Sequence, residues 1–194
     1  MNLLCKVIND PENLMNIINW TVPFLLGLLS SFIIDFIRNI IKRKRKKKFV
    51  EIYLTKTILP EIPELEKAYK SIRERINNFS LIHLKIPVFE SFNSKVFNGI
   101  SPTEYYEIFG ENYTTLNEII TTTEFISENL PLKTDQRYYD YINSHLIEKN
   151  KIGDTEHEKT CPTCIDHRNL INGIIDIRID ELNKLKQKIL KLIN

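Results

Sequence analysis

The pattern of apolar and polar positions divides the chain into two regimes. Between Glu12 and Asp35 no charged residue occurs, and Leu14 to Ile34 forms one apolar stretch of 21 residues. At about 1.5 Å per residue a helix of that length reaches roughly 30 Å, the thickness of the hydrocarbon core of a bilayer. Asn16 and Asn19 weaken its first turns, so the most apolar part runs from Trp20 to Ile34. Trp20 stands where an interfacial aromatic belongs, and Pro23 near the start, where a missing backbone donor costs least. The pattern predicts a transmembrane helix over 14–41, preceded by a short tail, 1–13.

Beyond Ile41 the apolar positions recur at helical spacing. Nothing breaks a helix between Lys42 and Ile58, which predicts a stalk over 42–59 with Val50, Tyr53, Leu54, Thr57 and Ile58 on one side. Pro60 and Pro63 punctuate it. From Pro63 a helix carries Leu65, Ala68, Tyr69, Ile72, Ile76 and Phe79. Ser80 to Gly99 reads as loops around a short helix. Ser101-Pro102-Thr103-Glu104 has the form of a helix start, with Ser as cap, Pro first and Glu three residues after the cap. Tyr105, Phe109, Tyr113, Leu116, Ile119, Ile120 and Ile126 follow, with Gly110 as a bend or division and an end before Pro131. Thr134 caps a further helix that carries Tyr138, Tyr139, Tyr141 and His145. The last helix opens near Cys161 and Pro162. On it Ile171, Ile175, Leu182, Leu185, Ile189 and Leu192 step by fours and threes, a heptad-like seam with Arg178 in one slot. The expected fold is all-α: one transmembrane helix continuing into a stalk, then a cytoplasmic bundle of four to five helices over 60–194.

Charge orients this picture. The formal net charge is +2, and Lys42, Arg43, Lys44, Arg45, Lys46, Lys47 and Lys48 supply seven positive charges, leaving the remainder at −5. A body that coats nucleic acid spreads its bases over a face, so nucleic acid is not the expected partner. A signal peptide places its positive charge before the apolar run, and here the block follows it. By the positive-inside rule the N-terminus lies outside and the chain from Lys42 onward in the cytoplasm. The seven bases can also lie against anionic lipid headgroups, at about 1 kcal/mol each. Gly27, Ser31, Asp35 and Arg38 fall on one stripe of the span. Small residues there let a second helix approach, and Asp35 and Arg38 can pair within or between chains.

One cluster carries candidate chemistry. "HEKTCPTCIDH" gathers His157, Cys161, Cys164 and His167 within eleven positions, four of the chain's seven Cys and His residues. Two thiolates at this spacing can share a zinc ion at about 2.3 Å. Cys161 as cap and Cys164 in the first turn would both feel a helix N-terminus, which favours thiolate. His157 and His167 would stand roughly 15 Å apart on one continuous helix, so all four can meet only if the segment before Pro162 is not part of it. His145 is the other candidate ligand. The second ligand pair of a zinc finger, about 12 residues away, is absent. The same residues also read as two half-buried thiols at a helix start beside surface histidines. C-P-T-C has the spacing of glutaredoxin-like sites, but without the strand that precedes the motif there. Tyr138, Tyr139 and Tyr141 read as core and boundary positions, and Glu104, Glu107 and Glu111 with His83 as a solvated face. Three cysteines do not make a disulfide scaffold. There is no phosphate loop and no nucleophile elbow.

The order span, basic block, helix, then "IPVFESFNSKVFNGISPTEYYEIFGENYTTLNEI" resembles that of uncharacterised single-pass membrane-anchored helical proteins of bacteria and archaea. Pro87, Phe89, Tyr113, Leu116 and Asn117, in the middle third, carry the resemblance, which implies no activity. Three functions follow as expectations. The first is a membrane-tethered interaction module without catalysis that binds itself or a protein partner through its last helix and stalk. The second is a zinc-stabilised regulatory or effector domain, acting on the membrane in a defence pathway. The third is a hydrolase or nuclease with an unrecognised helical site. The cofactor is accordingly none or one structural zinc.

Overall fold

A computed structural model describes residues 11–78, 83–98 and 100–193 of the chain. The tail up to Asp10, with Cys5, and Phe79 and Gly99 lie outside the described residues. Among the described residues all regular structure is helical. The chain divides into two compact units, Met1–Lys47 and Lys48–Asn194.

Among the described residues the first unit is formed by one helix. α1 (Pro11–Tyr53) passes through it and ends in the second unit. It is long and apolar enough to cross a membrane, and the side chains of its apolar window are all exposed, Trp20 at 82% and Phe32 at 73%. Because the helix is already formed at Pro11, Pro23 stands in its interior and not near its start. The bond that Pro23 cannot make leaves the carbonyl of Asn19 without its usual donor, a loss that membrane helices tolerate. Ser30 donates to the carbonyl of Gly27 at 2.8 Å, so its hydroxyl is satisfied within the helix. Asp35 and Arg38 stand 3.8 Å apart, both exposed. A Cβ on Gly27 would meet nothing within 4 Å. Of the seven bases, Lys46 is half-buried and the others are exposed.

In the second unit the stretch expected as a stalk is part of the core. Val50, Leu54 and Ile58 are buried, and the same stripe continues through Ile62, Leu65, Tyr69, Ile72 and Ile76. Pro60 and Pro63 do not end it. A wide π-type turn over Leu54–Ile58 leads directly into α2 (Leu59–Asn77), and both prolines fall in the first turns of α2, where few backbone donors are required. The irregular segment that follows is pinned by side chains. Glu61 accepts from the backbone N–H groups of Glu90 and Ser91, Asp135 from that of Ile86, and Tyr69 donates to the carbonyl of Pro87 at 2.8 Å. These bonds satisfy backbone groups that no helix pairs, while Leu84, Ile86 and Phe89 enter the core.

A short α3 (Lys95–Asn98) precedes α4 (Pro102–Phe109). Ser101 caps α4, its hydroxyl accepting from the N–H of Glu104 at 3.2 Å, as the Ser-Pro-Thr-Glu pattern predicts. Gly110 at φ 56° ends α4 in a conformation that disfavours a side chain, and one 3-10 turn leads to α5 (Tyr113–Glu124). A second wide turn, Phe125–Asn129, joins α5 to α6 (Leu130–Tyr141), so Pro131 sits at a helix start and breaks nothing. Thr134, expected as a cap, is inside α6 and buried. A third wide turn, Ile142–Ile147, continues α6, and α7 (Thr155–Thr160) and α8 (Pro162–Ile193) complete the chain.

α8 is the axis of this unit. Ile171, Ile175, Leu182, Leu185, Ile189 and Leu192 are all buried, and α8 packs along α2 and α5, with α6 and α7 against it. Arg73 pairs with Asp176 between α2 and α8, and Lys188 with Glu118 at 3.0 Å between α5 and α8. The heptad-like seam, expected as a surface for a partner, is therefore filled by the chain's own helices. Burying six aliphatic side chains, at about 1.5–3 kcal/mol each, favours this intramolecular closure.

Candidate metal centre

Three separate elements bring the histidines and cysteines together. His145 stands on the wide turn Ile142–Ile147, where Glu148 N–H bonds the carbonyl of Asn143, five residues back, at 3.0 Å. The extra residue in that turn rotates the side chains that follow relative to a regular helix. After it the chain reverses through Asn150 at φ 52° and Gly153 at φ 77°. Asp154 then caps α7, accepting from the N–H of His157 at 3.0 Å and from Lys151 at the same distance. These two bonds hold the Asp154 carboxyl below its ordinary range.

Cys161 is the joint between α7 and α8. Its N–H donates to the carbonyl of His157 at 2.8 Å, its backbone is extended, and its carbonyl accepts from Ile165 N–H at 3.1 Å to begin α8. The segment before Pro162 thus turns away from α8, the condition under which His157 can approach the cysteines. Cys161 is half-buried and Cys164 buried, both as free thiols.

One ligand atom from each of His145, His157, Cys161 and Cys164 falls in a group whose members all lie within 4.8 Å of one another. His145 Nε2 is 3.2 Å from Cys161 Sγ and 3.4 Å from His157 Nε2. The edges of a tetrahedron with Zn–N and Zn–S bonds of ordinary length measure about 3.3–3.8 Å. One imidazole nitrogen carries either one proton or one lone pair, so it cannot make full hydrogen bonds to both neighbours. The donor set fits a tetrahedral cation that prefers nitrogen and sulfur.

Electrostatics favours the metal-binding form at Cys161 and His145 and opposes it at Cys164. The backbone N–H of Cys164 holds the Cys161 thiol below its usual value. Burial pushes Cys164 up, and its thiol accepts from the Tyr141 hydroxyl, which offsets part of that cost. Burial, and after it the neighbouring Lys149, lowers His145 and keeps its imidazole neutral.

His167, placed in the ligand set from sequence, is not in this group; His145 is. The His167 ring stacks on Tyr141 at 4.1 Å between centroids, and its buried Nδ1 has no hydrogen-bond partner. Tyr141 also stacks on His145 at 5.6 Å, and His145 on His157 at 5.4 Å. Tyr138 and Tyr141 are buried and Tyr139 exposed. Glu107, Glu111 and His83 are exposed and Glu104 is half-buried, and among the described residues no second group of this kind converges.

Set against models of protein families, curated proteins and solved structures, the chain matches none of them.

Proposed function

We propose that this protein is a membrane-tethered helical module whose body is fastened by one structural zinc ion, and that it works by binding and not by catalysis. The observation that carries the reading is the convergence of His145, His157, Cys161 and Cys164 from three elements onto one point. Four protein ligands fill a tetrahedral shell, the pattern of structural zinc; a catalytic site keeps one position open. α1 supplies the anchor, with the N-terminus outside and the basic block against the inner leaflet. The body, exposed to the cytoplasm, meets a protein partner or a second copy of the chain.

The test uses the full chain purified in detergent. Elemental analysis is expected to find one zinc per chain, and cobalt substitution to give ligand-field bands of a tetrahedral site with sulfur-to-metal charge transfer. The double variant Cys161→Ser, Cys164→Ser is expected to lose the metal and unfold at lower temperature. A wild-type chain that takes up no metal, or a double variant that keeps it, overturns the zinc reading. Turnover in broad hydrolase and nuclease screens overturns the non-catalytic one.

A further inference from the structure

We infer that Cys161 and Cys164 are also an oxidation site, at which a hydroperoxide converts the two zinc ligands into an intrachain disulfide and so releases the segment that carries His157. This deepens the zinc reading and rests on it.

Three observations carry the inference. The two sulfurs lie within 4.8 Å of each other, close enough to bond after a small side-chain movement. Their exposures differ in the useful sense: Cys161 is half-exposed and can meet a solvent-borne oxidant, while Cys164, 4% exposed, is shielded and suited to the second, resolving step. The third observation concerns what the metal holds. α7 places no side chain in the core. The Asp154 cap and the Lys159–Glu156 pair at 3.7 Å lie within this segment and do not fasten it to the body; outward it reaches through His157, whose ring stacks on His145, and through Glu158, which faces Arg168 of α8. Surface pairs of that kind contribute little. Once the thiolates are lost, α7 keeps no apolar anchor.

The chemistry balances with the peroxide as the only co-reactant. The Cys161 thiolate attacks one oxygen of the hydroperoxide, the O–O bond breaks, and a sulfenic acid forms with release of hydroxide (or alkoxide). The Cys164 thiolate then attacks the sulfenic sulfur, the S–S bond forms, and the second hydroxide leaves. Each sulfur gives up one electron and the peroxide takes two; protons from solvent convert the leaving groups to water or alcohol. His145 and His157 alone do not retain the zinc, which departs without change of charge. A dithiol reductant and added zinc restore the starting state.

The experiment uses the full chain in detergent, zinc-loaded, in a Cys5→Ser background that leaves only this pair of cysteines. Hydrogen peroxide is added, and three signals are followed: zinc captured by a chromogenic chelator, intact mass, and trypsin cleavage after Lys151 and Lys159. The expected result is one zinc released per disulfide formed, a mass lower by two hydrogens, and cleavage faster by about an order of magnitude, all reversed by reductant and zinc. In Cys164→Ser, peroxide is expected to leave a sulfenic acid on Cys161 that a dimedone probe traps. Zinc that stays bound, or leaves while both thiols remain reduced, overturns this inference and leaves the zinc reading intact. A chain that holds no zinc before peroxide is added overturns the zinc reading itself.

Discussion

Arg178 stacks its guanidinium over the ring of Phe125, 4.3 Å from the centroid, and donates to the carbonyl of the same residue at 3.3 Å. Phe125 opens the wide turn after α5. Yet Arg178 is 1% exposed, and its Nε and Nη1 find no partner. Burial pulls its pKa down, against the Tyr69 phenol and Glu181, which favour the charge. A buried cation with two unmet donors costs stability that an apolar side chain of the same length would not. Arg178→Met is therefore expected to be neutral or to raise stability by about 1–2 kcal/mol, while Arg178→Ala, which leaves a void, should lose about 2–4 kcal/mol. Denaturant titrations followed by circular dichroism decide it; a large loss in the Met variant would show that the charge itself holds α5 to α8.

The two histidines that compete for the fourth ligand position separate by substitution. His145→Ala should abolish stoichiometric zinc. His167→Ala should leave one zinc per chain, since the ring lies on Tyr141 and outside the donor group. Tyr141→Phe removes the hydroxyl that donates to Cys164 and should weaken zinc binding by about 10–100-fold without changing stoichiometry. Competition against a chelator of known affinity gives all three numbers.

In metal-free protein the two thiols should differ in their response to pH. The folded pKa of Cys161 lies below that of a free cysteine, so at any pH beneath it a larger share is thiolate; Cys164 is shifted the other way by burial. Alkylation by iodoacetamide, read by peptide mass, should proceed at Cys161 with a midpoint at lower pH than a free thiol, and lag at Cys164. Equal midpoints for the two sites would contradict the helix-terminus argument.

The topology can be read from the native cysteines. On the proposed topology, with Lys42 to Lys48 on the inner side, a membrane-impermeant maleimide should label Cys5 in intact cells and reach Cys161 only after permeabilisation. Leu28→Arg, in the middle of the apolar stretch, should cost about 2.5–3.5 kcal/mol of insertion and shift protein out of the carbonate-resistant membrane fraction. Resistance unchanged by that substitution would argue against a spanning helix.

The start of α4 offers a local test. Ser101→Ala removes the acceptor for Glu104 N–H and should lower stability by about 1 kcal/mol, with Ser101→Asp retaining most of it. Thermal melts of the detergent-solubilised chain measure the difference.

Local chemistry alone determined a good part of this protein. The apolar run before the basic block, the cap at Ser101, the division at Gly110, and the spacing of Ile171 to Leu192 are properties of a few neighbouring residues, and they emerge in the structure where the pattern places them. The prolines were less legible. Pro60 and Pro131 look like stops, but two wide turns deliver the chain to them at helix starts, where the lost donor has no partner to miss; Pro63, read as a helix start, stands in the first turns of α2. Tertiary structure decided what fills the seam of α8, because an apolar stripe records that it must be covered and not by which helix. It also chose His145 over His167. Spacing along the chain reports only residues within a turn or two, whereas His145, 16 positions before Cys161, arrives through a reversal at Asn150 and Gly153 and a turn that re-aims its ring.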